Sequence, residues 1–156
     1  MSHESYKSLV LQALKNVPEL FPWDLEEQLS DKQTPLLLDI REPDEFGRAY
    51  IKGSLNVPRG ILEAACDWNY AETEPELVNA RDREVIIICR SGNRSALAAQ
   101  TMQFMGYTNV KSLKTGIRGW NDSEYELLNK QGNIIDGEDY DDDLNIPVSA
   151  DKLEPK

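Results

Sequence analysis

Four consecutive apolar residues, Val85-Ile86-Ile87-Ile88, three of them isoleucine, predict a strand buried on both faces. Leu36-Leu37-Leu38 opens a second run of this kind that finishes in polar residues at Asp39 and Arg41. Ser95 to Met105 is alanine-rich with helical apolar spacing, so residues 85–105 read as strand, loop, helix. Polar residues close both runs, which places Asp39, Arg41 and Cys89 together at the carboxyl edge of an open parallel sheet, where such sheets carry their sites. The sheet is expected to begin at Leu36.

The flanking pattern is helical at first. Leu9, Val10, Ala13, Leu14 and Val17 form a stripe over Ser5–Val17 that Pro18 ends. This helix packs back on the domain or pairs with a second copy of the chain. Phe21-Pro22-Trp23-Asp24-Leu25 leads into a short helix to about Leu29, and 60–66 reads as another. Residues 67–84 form an acidic, partly helical connection in which Trp68 and Tyr70 read as packing residues, with walls of the site as the alternative. Gly106 caps the helix before it, Val110–Leu113 is a further strand, and Asn121–Lys130 is expected as the last helix. Asp136, Glu138, Asp139, Asp141, Asp142 and Asp143 have little to bury, so they read as a solvated tail, and their spacing fits no calcium loop. The chain thus divides into an N-terminal helical extension (1–20), a core domain (21–132) and an acidic C-terminal tail (133–156).

A length of 156 residues suits one core of ordinary size. The net charge of −11 argues against nucleic acid and anionic membranes as partners, because both would be repelled over most of the surface. No stretch has transmembrane length and nothing resembles a signal peptide. Two cysteines are too few for a disulfide framework, so a reducing cytoplasm is the expected compartment. His3 is the single histidine, which leaves no base for a Cys–His nucleophile pair.

The candidate chemistry lies at Cys89-Arg90-Ser91-Gly92-Asn93-Arg94-Ser95. Gly92 and Asn93 tolerate the positive φ that curls backbone amides toward one point. A helix N-terminus near Ser95, with Arg90 and Arg94, favours the Cys89 thiolate and an anionic substrate. Packing alone would explain a cysteine at a strand end, but not two arginines, a glycine and an asparagine directly behind it. Arg59 and Arg118 either extend this positive funnel or are solvated surface charges. Asp39 and Arg41 are expected to brace the loop without taking a chemical step. Cys66 reads as a core residue on an apolar helix face, with a resolving thiol as the alternative.

The Cys89–Ser95 segment resembles the active-site loop of the rhodanese family of sulfurtransferases. The runs 36–46 (LLLDIREPDEF) and 51–58 (IKGSLNVP) are similar to that family's first core strand and second block, and 115–120 (TGIRGW) to its end motif. The likeness spans about residues 34–121 in the family's order. Tyr50 and Thr115 depart from it, standing where histidine and glycine are usual. The resemblance implies an α/β fold of three layers, a central parallel sheet flanked by helices. It implies Cys89 as the nucleophile carrying a persulfide, with Arg90, Ser91, Gly92, Asn93, Arg94 and Ser95 binding substrate and no cofactor or metal. Small sulfur anions such as thiosulfate would donate, and cyanide or a thiol would accept. Four residues between Cys89 and Arg94, where phosphatases of this architecture have five, fit a single sulfur better than a phosphate ester. A protein-to-protein sulfur relay and a non-catalytic interaction module are the alternative readings, and a homodimer or a relay protein is the candidate partner.

Overall fold

The apolar runs lie at the centre of the sheet in the computed structural model, which describes residues 2–156. Its strands in chain order are β1 (Glu19–Leu20), β2 (Leu36–Asp39), β3 (Leu55–Asn56), β4 (Val85–Ile88) and β5 (Val110–Leu113). Among the described residues they form one five-stranded sheet, ordered β1-β5-β4-β2-β3, with every pairing parallel. Leu36 pairs with Val85 and Asp39 with Ile88, so β2 and β4 end level and deliver Asp39 and Cys89 to the same edge. The architecture is the expected α/β one.

Alternation along each strand divides the core between two faces. Leu36, Leu38, Val85, Ile87 and Cys89 pack on one side with Ala98, Ala99 and Met102 of α6 (Asn93–Phe104). Leu37, Ile86, Ile88 and Leu113 pack on the other with Leu25 of α2 (Pro22–Ser30) and with Ile117 and Trp120 of α7 (Gly116–Asp122). Each buried Leu or Ile contributes about 1.5–3 kcal/mol relative to exposure, enough for this core to hold the short edge strands in register. The remaining helices are α1 (Tyr6–Leu14), α3 (Pro43–Arg48), α4 (Leu62–Ala65), α5 (Pro75–Val78) and α8 (Gly137–Leu144). Helix α1 is capped by the Ser5 hydroxyl and lays Val10 and Ala13 against Ala96 of α6, so it packs back on the domain.

Three segments differ from expectation. The sheet starts before Leu36: β1 is held by Ser112 N–H to the Pro18 carbonyl (3.0 Å) and Lys114 N–H to that of Leu20 (2.9 Å). Two residues are too short for a periodic signal. No helix covers Asn121–Lys130; α7 ends at Asp122, Glu124 turns at φ +64, and Leu128 bridges antiparallel to Tyr50 and Ile134. The acidic segment is not a solvated tail, because α8 buries Tyr140 and Leu144 in the second core face. Its Asp136 side chain caps the first turn, and Glu138 and Asp139 follow where the helix dipole favours anions.

Candidate active site

Cys89 follows directly on β4 and is only 1% exposed, so its sulfur sits at the bottom of the loop rather than on it. Gly92, at φ +96, is the N-cap of α6. Its N–H and that of Ser95 donate to Cys89 Sγ at 3.1 and 3.3 Å. Gly92 also lies close to the Thr115 backbone, and a Cβ there would approach the Thr115 nitrogen to 3.2 Å. Behind the loop, the Cys89 and Arg90 carbonyls accept from the Ile117 and Arg118 amides, both at 2.9 Å. A Cβ on Gly116, at φ +59, would collide with the Cys89 carbonyl. The start of α7 therefore clamps the chain on which Cys89 stands.

A chain of buried hydroxyls reaches the sulfur from below. Ser95 Oγ lies 3.3 Å from Cys89 Sγ and 2.7 Å from Ser112 Oγ on β5. The Cys89 thiol donates to Ser95 Oγ, and either hydroxyl can donate in the Ser95–Ser112 bond; with Cys89 as a thiolate, Ser95 would donate to it instead. Two backbone amides, the Ser95 hydroxyl and the N-terminus of α6 thus converge on the sulfur.

The arginines differ in their engagement. Among the described residues, Arg90 Nε is buried without a hydrogen-bond partner. Arg94 instead makes a two-point ion pair with Glu45 of α3, at 2.9 and 3.0 Å. Partial burial pushes the Glu45 carboxyl up, but the Arg94 hydrogen bonds and charge, with the Glu42 amide, outweigh it and hold it below its ordinary 4.5. Hydrogen bonding to Glu45 in turn raises Arg94.

Asp39 and Arg41 form a fully buried ion pair at 2.8 Å. Arg41 also donates to the Ala49 carbonyl (2.7 Å) and the Tyr140 hydroxyl (3.3 Å), so it ties α3 and α8 to the sheet. Its link to the Cys89 loop runs through α3 and Glu45. Arg59 bonds Glu63 and Thr101, and Arg118 bonds the Leu144 carbonyl. Their guanidinium groups hold helices and do not extend a funnel. Ser91 is half-buried and Asn93 exposed, both contributing backbone to the turn. Cys66 is fully buried, its thiol pushed up by burial, and it packs with Tyr107 in the first core face.

Glu45 and Ser112 are the site residues that sequence reading passed over. Nothing local links Glu45 to a residue 49 positions away. The one signal for Ser112 was a hydroxyl at an inward position of a buried strand.

Residues 22–123 match the family model described as the rhodanese-like domain. The chain is similar to a sulfurtransferase of Allochromatium vinosum, 33% identical over 104 residues, covering 67% of this chain and 88% of that protein. It is 32% identical over 105 residues to a Bacillus subtilis protein named as a candidate sulfur carrier, YrkF, covering 67% of this chain. It spans about half of that relative's length, 51%. Among solved structures, protein RPA3614 of Rhodopseudomonas palustris superposes with a TM-score of 0.73 at 27% identity, covering 86% of this chain and 97% of that one. The description of that structure suggests a tyrosine phosphatase.

Proposed function

The chain belongs to the rhodanese-like family, and from that premise we propose that it moves a sulfane sulfur through a persulfide on Cys89. The observation that carries the proposal is the convergence of the Gly92 and Ser95 amides and the Ser95 hydroxyl on Cys89 Sγ. The thiolate attacks the outer sulfur of thiosulfate or of another persulfurated donor. The bond between that sulfur and the rest of the donor breaks, and its electron pair leaves on sulfite or a thiolate. The Cys89 persulfide then gives its outer sulfur to cyanide or a cellular thiol, and the Cys89 thiolate returns. The cradle that holds the sulfur also lowers the cost of negative charge as it shifts from nucleophile to leaving group. Arg90, with Nε unpaired, steadies the anionic end of the donor. We place this chemistry in the cytoplasm, where free cysteines such as Cys66 and Cys89 stay reduced.

The likeness to a named candidate sulfur carrier favours a second reading, in which a protein donor loads Cys89 and a protein acceptor unloads it. Phosphatase chemistry has less support, since the four-residue spacing between Cys89 and Arg94 is short for a phosphate ester and Glu45 occupies Arg94. A non-catalytic module has no use for a cysteine cradled in this way.

The test is the intact mass after incubation with thiosulfate and removal of excess reagent. We expect wild type and Cys66→Ser to gain one sulfur atom that cyanide removes, and Cys89→Ser to gain none. No gain with either thiosulfate or polysulfide would overturn the proposal. Faster loading from a persulfurated protein than from thiosulfate would favour the relay.

A further inference from the structure

We propose that Glu45 selects the charge of the sulfur donor, by neutralising Arg94 so that the Cys89 cradle favours a neutral or singly charged persulfide over dianionic thiosulfate. The proposal rests on the Cys89 persulfide reading and refines its substrate class. Both oxygens of Glu45 are engaged by Arg94, and Oε1 also accepts the Glu42 N–H at 3.2 Å in the first turn of α3. That helix is itself anchored, because Arg41 holds the Ala49 carbonyl at its end. The carboxylate is therefore fixed beside the loop and cannot swing away when a donor arrives. The side chains of Arg94 and Glu45 are 30% and 25% exposed, so solvent screens the pair incompletely and its charges cancel within the site.

Among the described residues, what faces the Cys89 thiolate is Arg90, whose buried Nε has no hydrogen-bond partner. The two balance, and a dianion enters a site with no surplus positive charge on a chain of net charge −11. A persulfide R–S–SH meets no such barrier. Its outer sulfur is attacked by the thiolate, the S–S bond between that sulfur and the inner one breaks, and R–S⁻ leaves with the electron pair while Cys89 becomes Cys89–S–SH. Arg90 is sufficient to accompany that single leaving charge.

The experiment measures the rate of Cys89 persulfide formation by intact mass with thiosulfate and with cysteine persulfide as separate donors. Glu45→Gln keeps the shape and the Glu42 contact but frees the charge of Arg94. We expect the ratio of the thiosulfate rate to the cysteine persulfide rate to rise about tenfold or more. Arg94→Gln leaves an unbalanced carboxylate and should lower that ratio. The double variant Glu45→Gln/Arg94→Gln restores the original net charge and should return it to within about twofold of wild type. A purely structural ion pair would slow both donors together and would not be rescued in the double variant. Ratios unchanged in both single variants, with wild type loaded by both donors, would overturn the role of Glu45. Failure of wild type to load from either donor would overturn the underlying reading as well.

Discussion

Ser112 meets the Ser95 hydroxyl under Cys89 at 2.7 Å. It is fully buried on β5, and its hydroxyl contact is with Ser95. Replacing it by alanine frees Ser95 to reorient under Cys89, at a volume change the strand can absorb. One neutral hydrogen bond is worth about 0.5–1.5 kcal/mol, so Ser112→Ala should slow alkylation of Cys89 by iodoacetamide at pH 7 about two- to tenfold, with little change in melting temperature. An unchanged rate would mean that the two amides alone hold the charge. Cys89, Gly92 and Ser95 were legible because they sit in seven consecutive residues, whereas Ser112 and Glu45 reach the site from other elements and leave no mark beside it.

Helix α8 shows the same contrast among elements. It has two apolar residues, Tyr140 and Leu144, four apart and so on one face, among six acidic side chains from its cap onward. Composition argues for a solvated tail, and one turn of spacing is too little to overrule it. Tertiary contact does so, because Tyr140 lies in the core and its hydroxyl accepts from the buried Arg41. Tyr140→Phe leaves Arg41 Nη1 short of an acceptor and should cost about 1–3 kcal/mol. Tyr140→Ala also opens a cavity and should cost about 3–5 kcal/mol, the range for large aromatic truncations. Urea unfolding would measure both, and wild-type stability in Tyr140→Ala would mean that α8 is not part of the cooperative unit. Helix α7 was obscured in the other direction. Its two glycines lower helix propensity, yet Gly119 is needed because any Cβ would run into Thr115, and Gly116 because its neighbour is the Cys89 carbonyl.

For the whole molecule, charge sets the approach of the substrate. A surface of net −11 repels thiosulfate at long range, and the repulsion is screened as the Debye length falls from about 30 Å at 0.01 M salt to about 8 Å at 0.15 M. Loading of Cys89 by thiosulfate should therefore accelerate about two- to fivefold across that range in stopped-time mass measurements, as electrostatic encounter rates do. A rate that falls with salt would instead show a local positive funnel dominating. The charge total, the two buried runs, the strand–loop–helix unit and the place of Cys89 at its turn follow from the sequence alone, because each is a property of neighbouring residues or of a sum over all of them. The engagement of Arg94, the hydroxyl chain from Ser112, the edge strand β1 and the packing of α8 were decided by the tertiary structure. Each depends on groups far apart in the chain meeting across a buried boundary, and no local pattern records which of those meetings the core permits.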